Sequence, residues 1–198
     1  MEKKVKTMAK GLLIVISGPS GVGKGTVIKK FVDDPELKLA FSVSMTTRGK
    51  RAGEVDGENY HFVTKEEFER ARENGELLEC AEFVGNWYGT PLSEVERLRN
   101  EGRNVLLEIE VNGCRQVRNR VPDALTIFIV PPDMNELEKR IRGRATEPEE
   151  IVQERLAKAQ KEMEMIDQYK YVICNDDADL AADIIRLIIR RYMELAEQ

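Results

Sequence analysis

The nine residues Gly18-Pro19-Ser20-Gly21-Val22-Gly23-Lys24-Gly25-Thr26 constrain this chain more tightly than any other stretch. They follow the apolar run LLIVIS at residues 12–17 and lead into a helical pattern over residues 22–32. Four glycines around one lysine bury little apolar surface, so the segment is not a core element. The spacing G-x-x-x-x-G-K between a strand and a helix is that of a phosphate-binding loop. Glycines let backbone N–H groups converge on an anion, and the helix N-terminus adds partial positive charge. Lys24 then reaches the terminal phosphates of a nucleoside triphosphate. The residue after the lysine, often a Mg²⁺-binding Ser or Thr, is Gly25, and Thr26 comes next. The hydroxyl ligand is therefore Thr26, or Mg²⁺ is held by phosphates and water without a protein side chain.

Such a loop belongs to a parallel sheet. NVLLEI, ALTIFIV and YKYVICN are continuous apolar or nearly apolar runs of the kind buried on both faces, and each is followed by a helical pattern. Between the phosphate loop and NVLLEI the character changes. AFSVSM reads as a short strand, YHFVT alternates, KEEFERARENG reads as a helix ending at Gly75, and ELLECAEFVGNWYGT as one or two strands. Pro91 is expected in the first turn of a helix over PLSEVERLRNEG. The expected architecture is a three-layer α/β/α fold with a parallel core sheet. A small mixed-sheet subdomain is inserted at residues 44–97. At 198 residues, 41% of them hydrophobic, this is one domain with insertions.

Other classes are excluded. With 31 Lys and Arg against 36 Asp and Glu, the net charge of −5 disfavours a general nucleic-acid binder. Cys80, Cys114 and Cys174 are odd in number and far apart, so reduced thiols are expected rather than a disulfide or zinc framework. The basic start MEKKVKTMAKG precedes an apolar run too short for a signal or membrane segment. A cytoplasmic protein without a membrane partner is expected, with residues 1–10 as a mobile extension and the oligomeric state left open.

The middle section holds a second set of candidate residues. Arg48 and Arg51 lie three apart in a Gly-rich loop, with Tyr60 nine beyond Arg51. Two guanidinium forks and a phenol suit a monophosphate, although alone they read as well as a solvated basic loop. Glu79, Tyr88 and Thr90 follow. A half-buried carboxylate accepts two parallel hydrogen bonds from guanine N1–H and N2–H₂, a donor pair that adenine lacks. Hydroxyls at Ser44 and Thr90 suit O6 or N7. Glu79 alone reads equally as an exposed strand carboxylate. EKRIRGRATEPEEIVQER carries Arg140, Arg142, Arg144 and Arg155 among many glutamates, which fits either a phosphoryl clamp or a surface of ion pairs. His61 reads as structural, and Asn175 as a cap for the closing helix.

Taken together, GPSGVGKGT, SVSMTTRGKRAGEVDGENYHFV, GNWYGT and VICNDD resemble the guanylate kinase family, in order, from about residue 11 to the C-terminus. The resemblance implies Mg²⁺-dependent transfer of a phosphoryl group from ATP to GMP or dGMP. It implies that residues 18–26 and Asn175 bind ATP, with Asn175 near the adenine. Arg48, Arg51, Tyr60 and Tyr88 would bind the GMP phosphate, and Ser44, Glu79, Thr90 and Glu110 the guanine. Lys24, Arg48, Arg140, Arg144 and Arg155 would stabilise the transferring group, the last three from a helical lid over about residues 138–158, while Arg142 stays a surface residue. Three positions depart from the common family pattern: Glu110 stands where aspartate is common, Thr90 where serine is frequent, and Ala145 where glycine is usual. A peptide-binding relative without catalysis would lack the intact loop or the arginines, which are present here. A P-loop kinase for another acceptor would not need Glu79 and its neighbouring hydroxyls.

Overall fold

The computed structural model describes residues 9–83, 85–143 and 148–196. Its core sheet has five parallel strands in the order β2-β7-β1-β8-β9. They are β1 (Leu13–Ser17), β2 (Leu39–Phe41), β7 (Asn104–Glu108), β8 (Leu125–Val130) and β9 (Tyr171–Cys174). β1 is central, with Ile14 aligned on Leu106 of β7 and on Leu125 of β8. All five of its residues are buried, which explains the unbroken apolar run. Ile14 and Ile16 face a cluster with Val27, Leu137, Val152 and Ile185. These come from α1 (Lys24–Lys29), α5 (Met134–Gly143), α6 (Glu149–Met163) and α7 (Ala178–Ala196). Leu13 and Val15 face the opposite layer, with Val95 of α3 (Leu92–Asn100) and Val117 of α4 (Val111–Arg120). Because β7 and β8 flank β1 on opposite sides, the connections diverge at its carboxyl end, where open α/β sheets bind ligands.

The second sheet, ordered β4-β3-β6-β5, is mixed. It comprises β3 (Met45–Thr46), β4 (His61–Phe62), β5 (Leu77–Phe83) and β6 (Asn86–Pro91). β3 runs parallel to β4 and antiparallel to β6, and β5 antiparallel to β6. Its small core is Phe68 and Ala71 of α2 (Lys65–Glu73) with Leu77. A reciprocal cap starts α2: Thr64 Oγ1 accepts from Glu67 N at 3.1 Å, and Glu67 Oε2 from Thr64 N at 2.8 Å.

Several elements depart from the expectations. AFSVSM is not one strand: Phe41 ends β2 in the core sheet and Met45 begins β3 in the other. The first helix is six residues rather than eleven, because Gly23 sits in the left-handed region and the chain after Lys29 continues as turns. Pro91 ends β6 and caps α3 from outside, with ψ 123°. The first six residues of that helix fall inside the expected 44–97 insertion, yet the helix packs on the core sheet. α4 starts at Val111, three residues before CRQVRNRV. Residues 1–8 of the expected extension lie outside the described residues, whereas Lys10 is tied to Glu96 at 2.6 Å. The three cysteines are free: Cys114 buried, Cys80 half-buried and Cys174 exposed.

Candidate active site

The phosphate loop leaves β1 and turns sharply into α1. Gly18 has φ 150° and a side chain there would drive into the carbonyl oxygen of Ile129. Gly23 has φ 96°, and a Cβ would stand 2.7 Å from Asn175 Nδ2. Both positions therefore exclude other residues, the first chiefly by space and the second by conformation as well. Lys24 Nζ donates to Gly18 O at 2.6 Å and Pro19 O at 3.2 Å, which folds the ammonium over the loop. Burial lowers its pKa below the ordinary lysine value, and Glu108, Glu162 and Glu110 partly oppose that.

Three side chains brace the loop from outside. Asn175 Nδ2 donates to Val22 O at 2.7 Å, and Asn175 is buried at the end of β9. Arg140 Nη1 donates to Asn175 O at 3.0 Å and Val22 O at 3.4 Å, while its Nε meets Glu136. Arg155 Nη2 donates to Ser20 Oγ at 2.8 Å. The cap of α7 is not Asn175 but Asp177, whose Oδ1 accepts from Asp179 N and Leu180 N. Asn175 stands three residues before the first residue of α7, and its side chain is turned to the loop. Arg142 is held by Glu138 and by both oxygens of Glu149, a surface network that lowers the Glu149 pKa to about 2. Arg144 and Ala145 lie outside the described residues.

Two clefts open beside this loop. One, of about 420 Å³, is lined by Gly21, Gly23, Thr26, Arg140, Asn175 and Asp176 among others. The other, of about 410 Å³, brings together Lys24, Ser44, Tyr60, Glu79, Tyr88 and Glu110. Glu79 is only 6% exposed, and its Oε1 accepts from Thr90 Oγ1 at 2.6 Å. Burial pushes its carboxyl above the ordinary range, against the hydrogen bonds from Thr90 that pull it down. The single Thr90 hydroxyl hydrogen is thus directed at Glu79 rather than into the cleft.

At the mouth, Arg48 lies 5.4 Å from the Tyr60 ring centroid, and Tyr60 packs edge-on against Tyr88. Glu54 accepts from Arg48 at both oxygens, 3.0 and 2.7 Å, and from Arg51 N at 2.8 Å. These bonds hold the Glu54 carboxyl at about 2. The side chain of Arg51 is exposed on the same loop. Glu110 Oε1 and Oε2 both accept from Lys158 Nζ of α6 at 2.9 Å. Glu54, Glu108, Lys158 and Glu162 were not singled out in the sequence. Glu54 alone carried a signal, three residues after Arg51; the others meet the site through long-range packing.

A family model for guanylate kinase matches residues 10–192. The chain belongs to the guanylate kinase family. It is 51% identical over 180 residues to the guanylate kinase of Streptococcus thermophilus, spanning 91% of this chain and 86% of that protein. To the Enterococcus faecalis guanylate kinase it is 53% identical over 180 residues, spanning 91% and 88%. A crystal structure of guanylate kinase from Anaplasma phagocytophilum superposes with a TM-score of 0.70 at 34% identity, over 93% of this chain and 87% of that one. Guanylate kinases transfer a phosphoryl group from ATP to GMP, and this chain is a phosphotransferase of that family. No helix among the described residues is long and apolar enough to cross a membrane.

Proposed function

We propose that this guanylate kinase takes ATP in the cleft beside Asn175 and GMP in the cleft beside Glu79, with the phosphate loop between them. The observation that carries the reading is Glu79: a buried carboxylate lining a cleft, with one oxygen fixed by Thr90. Ionised, it accepts both guanine donors, and Thr90 acts by orienting it. Ser44 supplies a hydroxyl to the base. Glu110 reaches the base after exchanging Lys158 for it. Arg48, Arg51, Tyr60 and Tyr88 grip the GMP phosphate, and Glu54 presets Arg48.

The acceptor is already an oxyanion, so no general base is required. What transfer requires is an in-line arrangement and fixed positive charge. Lys24 and Arg155 supply that charge from the loop side. Arg140 braces the loop in this arrangement, and Arg144 would complete the set from the lid. Closure over the clefts excludes water, which would otherwise take the phosphoryl group. Among the described residues no group of three acidic or imidazole side chains forms a metal cage. Thr26 at the loop and Glu108 at the end of β7 are oxygen donors that suit Mg²⁺ carried in largely by phosphates and water. When bound, Mg²⁺ neutralises charge on the triphosphate. The setting is cytoplasmic purine nucleotide metabolism, with GMP recycled to GDP.

An ADP-release assay across GMP, AMP, UMP and CMP, together with calorimetric titration of Glu79→Gln, tests this. Turnover is expected with GMP, and the variant should weaken GMP by as much as about 10⁴-fold while leaving ATP unchanged. Equal turnover with AMP, or equal loss of both nucleotides, would refute it.

A further inference from the structure

Gly113 stands buried in the first turn of α4. It is not among the described glycines with positive φ, so its backbone suits any L-residue. Alanine is the better helix former at such a place, and the glycine therefore has a spatial reason. A Cβ on Gly113 would stand 2.6 Å from Glu79 Oε2, 3.3 Å from Glu79 Cδ and 3.3 Å from Ile109 Cδ1. The first of these is too short to persist. Gln116, one turn along α4, resists the parting of helix and strand, because it grips the residue after Glu79 twice. Gln116 Oε1 accepts from Cys80 N at 3.1 Å, and Gln116 Nε2 donates to Cys80 O at 2.8 Å. The movable party is the carboxylate.

We infer that Gly113 determines base specificity by acting through Glu79: the missing side chain leaves the carboxylate seated between the Thr90 hydroxyl and the Gly113 Cα, where its oxygens meet the guanine donors. Gly113 is a positioning residue and does not itself touch the base. The inference rests on the reading that Glu79 pairs with guanine. Any Cβ on Gly113 turns the carboxylate out of line, and a misplacement of about 1 Å costs on the order of 10²-fold. The loss falls on GMP and not on ATP, because the other cleft is lined by different residues.

Gly113→Ala tests this, with inosine monophosphate, which lacks the 2-amino group, as the second acceptor. The variant should keep its melting temperature and KM for ATP, raise KM for GMP by about 10²-fold, and narrow the preference for GMP over inosine monophosphate. Glu79→Asp placed on Gly113→Ala withdraws the carboxylate by one methylene and should recover part of the loss, a non-additive pair. Unchanged KM and preference in Gly113→Ala, or strictly additive losses in the pair, would overturn the inference. If Gly113→Ala does not fold, Gly113→Ala/Glu79→Ala should, since the obstructing atom is gone; an unfolded double variant also overturns it. Glu79→Ala separates the two claims. Loss of GMP preference there with a normal Gly113→Ala defeats only the role of Gly113, whereas retained preference defeats the role of Glu79 and this inference with it.

Discussion

Asn175→Ala removes the one side-chain amide that ties the end of β9 to the phosphate loop. Its Nδ2 donates to Val22 O at 2.7 Å in a buried setting, while the bonds Asn175 N→Val130 O and Arg140 Nη1→Asn175 O use only the Asn175 backbone and survive the change. Leaving a buried carbonyl unpaired costs about 1–3 kcal/mol. Arg140 still reaches Val22 O at 3.4 Å, a weak bond, so the lower part of that range applies. A loss of about 1–2 kcal/mol lowers Tm by roughly 2–8 °C in a chain of this length. If ATP must restore the loop as it binds, the same energy raises KM for ATP by about 5- to 30-fold. KM for GMP should not change. Asn175→Asp should be worse than alanine for ATP, because it loses the donor and sets a carboxylate against a carbonyl oxygen beside the incoming phosphates. Differential scanning fluorimetry and steady-state kinetics with each nucleotide varied read both effects. An alanine variant with unaltered Tm and ATP KM, or an aspartate variant better than alanine, would refute the reasoning.

Lys24→Ala should cut kcat by about 10²–10³-fold while Tm falls little, since the fold already bears the desolvation of that ammonium; turnover near normal in a steady-state assay would contradict it. The raised Glu79 carboxyl predicts that kcat/KM for GMP falls on the acid side at a pH above that of an ordinary glutamate, as protonation removes an acceptor. Thr90→Val, which removes the hydroxyl hydrogen bond opposing that rise and keeps the backbone one, should move the limb to still higher pH, and a pH–rate profile that does not move counts against it. The stability contributed by Glu79 has the opposite sign: the fold favours its neutral form, so stability rises as pH falls through the folded pKa.

Local pattern alone determined the phosphate loop, the buried parallel strands and the type of most helices. Glycine spacing, apolar runs and 3.6-residue periodicity are properties of adjacent residues. The family resemblance also pointed to Ser44, Tyr60, Glu79, Tyr88 and Glu110, which the structure brings to one cleft. Tertiary structure decided where each polar atom spends its bonds. AFSVSM divides between two sheets because β7 and β6 compete for its halves. Asn175 serves Val22, 153 residues away, and Asp177 caps α7. Thr90 aims at Glu79, Glu54 at Arg48, and Lys158 at Glu110. Hydrogen bonds and excluded volume depend on distances that close only when the chain is folded: Lys158 and Glu110, or Asn175 and Val22, share no window of the sequence, and even Arg48 and Glu54, six residues apart, meet through the path of their loop rather than a local period.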